Sequence, residues 1–225
     1  MLKANLKHSA GGKGEYERVF HDLFYPRSQT SRDIACGPTE DPGRNLENLW
    51  LIDERLVFHT LLASDQPLSQ SGVILDDPDL TKNDEPDLII FNPAFVAMEA
   101  GGVESVAVVE FKRPGRNDYT AKSNPIAQII EIVRKLRDGA IVGKGGEVIA
   151  VSNALRVYGY AVCDVTPTLK PLLEYTHLMK ETPDGIGWYV YHERLNLLIE
   201  LIPYSKLVND AERRNMAFFR KLNIM

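Results

Sequence analysis

The chain holds little cysteine and few aromatics, and it lacks any long apolar run. Cys36 and Cys163 lie far apart without a Cys-x-x-Cys, and none of the five histidines is paired at zinc-ligand spacing. That argues against a structural zinc. The two thiols fit a reducing, cytoplasmic location, with Cys163 expected to be buried in the run Tyr160-Ala161-Val162-Cys163. No stretch reaches the roughly eighteen apolar residues of a membrane-spanning helix. The polar, glycine-rich start (MLKANLKHSAGGKG) has no signal-peptide core. There is no Gly-x-Ser-x-Gly elbow, and the Gly143–Gly146 stretch (GKGG) lacks the phosphate-loop pattern. Aromatics at 8% leave a glycosidase little surface for sugar stacking. A net charge of −5 argues against coating of nucleic acid by the whole surface. It leaves room for a local basic groove around an acidic site.

What is present fits one α/β domain. A chain of 225 residues suffices for a single full core. Residues 1–13 are expected to be disordered or expression-derived, and 14–225 to form the domain. Apolar spacing predicts a short helix over Glu15–Phe24, a loop over 26–44, and a helix over Leu46–Ala63 capped by Asn45. A polar connection (64–85) carries one apolar island, Gly72–Leu75. Strands follow at Leu88–Phe91 and Val103–Phe111, turned by Gly101-Gly102, so at least one pair should be antiparallel. Asn124-Pro125 opens an amphipathic helix to Arg137, with Ile126, Ile129, Ile130, Val133 and Leu136 facing a core. Strands at 148–151 and 157–165, a hairpin of 188–192 with 197–202, and a last helix over 210–222 complete the reading.

The strongest chemical signal lies in the middle. Pro86-Asp87 leads into the strand Leu88–Phe91, and Glu110-Phe111-Lys112 ends the next strand, with Glu110 twenty-three positions after Asp87. Side chains two apart on a strand share a face. Glu110 and Lys112 therefore project together, where the strand is expected to break surface, and Phe111 turns into packing. Asp87 and Glu110 can supply oxygen ligands to a hard cation such as Mg²⁺ or Mn²⁺. Lys112 can hold a nucleophilic water or offset charge in a transition state. Arg113 and Arg116, around the Pro114-Gly115 turn, can grip phosphates. Further basic candidates are Lys122, then Arg134, Lys135 and Arg137, then Arg213, Arg214, Arg220 and Lys221; the alternative for the last two groups is a solvated helix face. One anomaly stands in the 46–63 segment: Asp53 falls within the apolar stripe of Leu46, Leu49, Trp50, Val57 and Leu61. A carboxylate there needs a partner or a cation.

Pro86-Asp87 with Glu110-x-Lys112 resembles the PD-(D/E)xK nuclease superfamily, over roughly Asn45 to Val165. The resemblance implies a restriction-endonuclease-like fold, a central mixed sheet flanked by helices, and metal-dependent hydrolysis of DNA phosphodiesters. It assigns Asp87, Glu110 and the Phe111 backbone carbonyl to the metal, and Lys112 to the attacking water. Helix carboxylates reach the metal in several members, which makes Asp53 or Glu54 a candidate ligand; a buried salt bridge is the alternative. Gln128 resembles the glutamine of the Gln-x-x-x-Tyr branch, although the fourth position here is Ile132. In that role it orients a water or phosphate near Lys112; otherwise it faces solvent, as Glu131 and Lys135 do. The phrases Leu49–Leu56 and Phe111–Arg116 also resemble the C-terminal domain of large bacterial GHKL-type ATP-binding proteins. The implied partners are DNA, an ATP-binding protein or domain, and a second copy in a homodimer, with no membrane. The implied setting is bacterial DNA processing or defence. The competing reading is a non-catalytic module on a nuclease scaffold that docks an ATPase or nucleic-acid complex.

Overall fold

The computed structural model describes residues 21–31, 48–65, 73–76, 86–91, 103–138, 140–143, 148–149 and 151–221. The expected disordered start, most of the first helix, Asn45, Cys36 and the Gly101-Gly102 turn lie outside these residues. So does most of the 26–44 loop, along with 144–147.

A seven-stranded mixed sheet organises the chain. Its strands are β1 (Leu61–Ser64), β3 (Leu88–Phe91), β4 (Val103–Phe111), β7 (Val151–Val162), β8 (Lys180–Glu181), β9 (Trp188–His192) and β10 (Leu197–Ile202). They lie in the order β1-β3-β4-β7-β10-β9-β8. The pairs β4·β7 and β7·β10 are parallel and the rest antiparallel. Strands β2 (Val73–Asp76), β5 (Ala140–Gly143) and β6 (Val148–Ile149) form a separate three-stranded sheet. Helix α1 (Pro125–Asp138) packs on one face of the main sheet, and the start of helix α2 (Tyr204–Lys221) packs on the other. The expected α/β architecture with helices on both faces is present.

The strand sequences explain their places. Leu88, Ile89, Ile90 and Phe91 are all buried, as an interior strand with both faces covered requires. Alternate residues of β4 serve different cores. Val106 and Val108 join Ile126, Ile129 and Val133 of α1. Ala107, Val109 and Phe111 join Phe24, Tyr204 and Leu207 on the other side. Helix α1 starts where Asn124 Oδ1 accepts from the Ala127 amide at 2.9 Å, an N-cap ahead of Pro125. It crosses β7 closely at Gly159, where an added Cβ would come within 2.7 Å of Ile129 Cγ2.

Several expectations need correction. The segment 46–63 is not one helix. It forms 3-10 turns at Leu49–Leu51 and Glu54–Val57, and Leu61–Ser64 is strand β1. Asp53 interrupts any helix there, because it is extended (φ −150°, ψ 130°) and caps the second turn. Pairing of β1 with β3 then decides a stretch whose apolar residues suit either structure. The apolar island after Gly72 is strand β2. Strand β7 spans Val151–Val162, with a register irregularity against β4 between Val103 and Ser105, and α2 begins at Tyr204, six residues before Asp210. The sheet also continues past Val165, since β10 pairs with β7.

Candidate active site

The site forms at the end of β4 that abuts β3. In the antiparallel register Leu88 pairs with Val109, so one further step sets Asp87 opposite Glu110. Asp87 Oδ2 accepts a hydrogen bond from the Phe111 amide at 2.6 Å, and Lys112 Nζ lies 4.0 Å from the same oxygen. Lys112 Nζ donates to Glu110 Oε2 at 3.0 Å. The three residues singled out by the motif are therefore brought together. Phe111 turns away as expected, fully buried and stacked on Phe24 with centroids 4.8 Å apart. The N–H and C=O of an extended residue leave the strand on the same side. The Phe111 carbonyl thus faces the Asp87 side, as its amide does.

The strand does not break surface at Glu110. Glu110 and Lys112 are 2% and 6% exposed, and only Asp87 is open to solvent, with 23% of its side chain exposed. Burial raises the Glu110 carboxyl well above its ordinary range; the Lys112 charge pulls it down, and the Asp87 charge pushes it up again. Glu110 Oε1 is buried with no hydrogen-bond partner. Such an oxygen is costly to leave bare, and it lies beside a second carboxylate. That donor set suits a hard cation, which takes one or two carboxylates and fills its remaining positions with water and substrate oxygens. Among the described residues no group of three or more His, Cys, Asp or Glu converges to hold a metal.

The remaining candidates lie elsewhere. Asp53 accepts from Arg55 at 2.6 Å and from the Tyr160 hydroxyl at 3.1 Å. Tyr160 is in register with Val109 and packs on the α2 side, the face opposite Glu110. Asp53 is therefore a structural ion pair rather than a metal ligand. Exposed Glu54 meets Arg214 at 3.7 Å and does not reach the site either. Gln128 is exposed on α1, away from the stripe that faces the sheet. Two positions on from Ile126 is a rotation of about 200°, so the helix turns Gln128 outward. Glu131 and Lys135 form the expected i,i+4 pair at 3.6 Å.

Arg113 is half-buried and its guanidinium has no ion pair among the described residues. Arg116 is bound to Asp118 at 2.8 Å and lies over the Tyr119 ring. Gly115 takes φ +67° in the turn between them. Arg137 donates to the Leu155 and Leu195 carbonyls, and Arg214 to those of Trp50 and Leu51, so both tie the fold together. Lys122, Arg134, Arg213, Arg220 and Lys221 are exposed. Burial pushes the Cys163 thiol up to about 12, which makes it inert.

Two neighbours of the site carried no sequence signal. His21 Nε2 lies 2.9 Å from the Asp87 carbonyl, which also accepts from the Asp65 amide at 2.9 Å. The Tyr204 hydroxyl donates to the Lys112 carbonyl at 2.8 Å. They stand 66 and 92 residues from their partners, and no local pattern marks such contacts.

Comparison with protein-family models, with curated proteins and with solved structures finds no match to this chain. Among the described residues no helix is long and apolar enough to cross a membrane.

Proposed function

We propose that the chain is a metal-dependent phosphodiesterase of PD-(D/E)xK type acting on DNA. The observation that carries this reading is the Asp87–Glu110–Lys112 cluster, with the bare, buried Glu110 Oε1 at its centre. Asp87, Glu110 and the Phe111 carbonyl would hold Mg²⁺ or Mn²⁺. When bound, the cation supplies a Lewis acid for the phosphoryl oxygens and promotes ionisation of the attacking water. Asp87 already accepts the Phe111 amide, so this carboxylate is oriented before any cation arrives. Lys112, held by Glu110, presents a positive charge where the phosphate gains negative charge, and it can orient the attacking water. Arg113 offers a guanidinium to a flanking phosphate.

A second reading draws on the burial of Glu110 and Lys112, which is also what a closed structural ion pair would show. In that reading the chain is a non-catalytic module that docks an ATPase or a nucleic-acid complex. One experiment separates the two. The purified chain is incubated with linear and circular, single- and double-stranded DNA in Mg²⁺, Mn²⁺ or EDTA, beside Glu110→Gln. Metal-dependent cutting that disappears in the variant supports the enzyme. No cutting, and no stabilisation by metal, leaves the docking module.

A further inference from the structure

The main chain of the proposed catalytic lysine is fastened on both sides. Its amide donates to the Val162 carbonyl at 3.0 Å. Its carbonyl accepts from Tyr204, whose side chain is 1% exposed at the start of α2. Lys112 lies one residue past β4, and its amide makes the last bond to β7. Without the Tyr204 hydroxyl the Lys112 carbonyl would lose a buried donor. The Tyr204 ring packs with Phe111 and Val162 in the core on the α2 face, while Lys112 Nζ engages Glu110 on the other face. A hydroxyl on one side of the sheet thus fixes the backbone from which an ammonium reaches the other.

We infer that Tyr204 is a positioning residue for the proposed phosphodiester cleavage: it holds the Lys112 backbone so that Nζ stays registered between Glu110 and Asp87. The inference rests on the nuclease reading above. It makes the C-terminal helix part of the site, although the segment carrying the motif resemblance ends near Val165.

The test uses the full chain and two hydroxyl deletions of equal size. Tyr204→Phe keeps the buried ring and removes the donor to Lys112. Tyr160→Phe removes a buried hydroxyl from the same core, but one that serves Asp53. Cleavage kinetics are read on whichever DNA form the wild-type chain cuts. Exchange protection of the Lys112 amide is read by mass spectrometry without metal or DNA. Tyr204→Phe should lower kcat by about tenfold to a hundredfold, the cost of a catalytic group displaced by roughly an ångström, with KM little changed. It should also lower Lys112 protection, while Tyr160→Phe keeps both at wild-type levels. A Tyr204→Phe chain with wild-type kcat and protection overturns the inference. So does an equal loss of kcat in both variants, which would report general loosening. A wild-type chain that cuts no DNA, while Tyr204→Phe still deprotects Lys112, sinks the nuclease reading and leaves the anchor standing.

Discussion

Asp53 and Glu110 occupy opposite faces of one sheet, each beside a cation and each largely removed from water. Each accepts from the cation two residues on, but the rest of their hydrogen bonds differ. Both Asp53 oxygens are used: Oδ1 accepts the Arg55 amide and Nε, and Oδ2 accepts Arg55 Nη2 and the Tyr160 hydroxyl. Burial alone would raise Asp53, but these bonds outweigh it and hold the carboxyl below its usual value. Glu110 Oε2 accepts from Lys112 and Oε1 has no partner within hydrogen-bond geometry; burial pushes its carboxyl up, against the Lys112 charge and a weak backbone contact from Asp87. A carboxylate whose lone pairs are all engaged has no capacity left for a ligand. One left half-satisfied beside a second acid has that capacity, and the fold bears a cost for it that a cation would relieve.

Five substitutions and a metal addition test this contrast, from the largest effect to the smallest. Glu110→Gln or Lys112→Met should reduce cleavage by about a hundredfold to a thousandfold or more, the scale of losing a group that stabilises transition-state charge. Asp53→Ala should leave the rate intact, and an equal loss of rate there would erase the distinction between the faces.

Asp53→Ala should instead weaken folding by about 1–3 kcal/mol, because it removes a cap and leaves the buried Tyr160 hydroxyl without its partner. The pH dependence has a definite sign. The folded carboxyl titrates below its unfolded value of 3.8, so its stabilisation is present above that pH and fades as pH falls through the lower folded value. Urea unfolding should show the gap between wild type and Asp53→Ala narrowing below pH 3.8. A gap that widens in acid would reverse the assignment.

Mg²⁺ or Mn²⁺ at about ten times its dissociation constant should stabilise the wild-type chain by about 1.4 kcal/mol. For a chain of this size that is roughly 3–6 °C in melting temperature. Glu110→Gln should lose this shift and Asp53→Ala should keep it. The smallest effect concerns the arginines. Arg113→Ala should weaken DNA binding in EDTA and lower the salt slope by about one. Arg116→Ala, whose guanidinium is taken by Asp118, should change the slope less, and equal effects would mean that the Asp118 pair opens on binding.

Much of the central sheet was legible in the sequence because its signals are local. Leu88–Phe91 and Val106–Val109 are short apolar runs with β-branched residues, and the 188–202 hairpin is bounded by turn chemistry. The α1 stripe keeps a helical period from Ile126 to Leu136. The motif placed Asp87, Glu110 and Lys112 together because strand alternation and one antiparallel pairing suffice to do so. Failures occurred where long-range contacts decide. Leu61–Ser64 has helix-compatible spacing and becomes a strand only because β3 lies beside it. Asp53 finds its main partner locally, in Arg55 two residues on, and only its fourth hydrogen bond comes from Tyr160, 107 residues away. The depth of Glu110 could not be read from a strand end, since its cover comes from the packing around the sheet. Gln128 was a candidate by resemblance with a solvent-facing alternative, and it is exposed on α1.

The position of β10 has a consequence for how the protein is made. β10 lies between β7 and β9, although β9 precedes it in the chain. A chain emerging from the ribosome therefore presents β9 before the strand it must pair with exists. Only when residues through Ile202 are out can the right half of the sheet close, and Tyr204 follows two residues later. Lys112 is synthesised 92 residues before Tyr204, the donor to its carbonyl. A polypeptide interrupted before this point would carry the acidic pair without the completed sheet behind it.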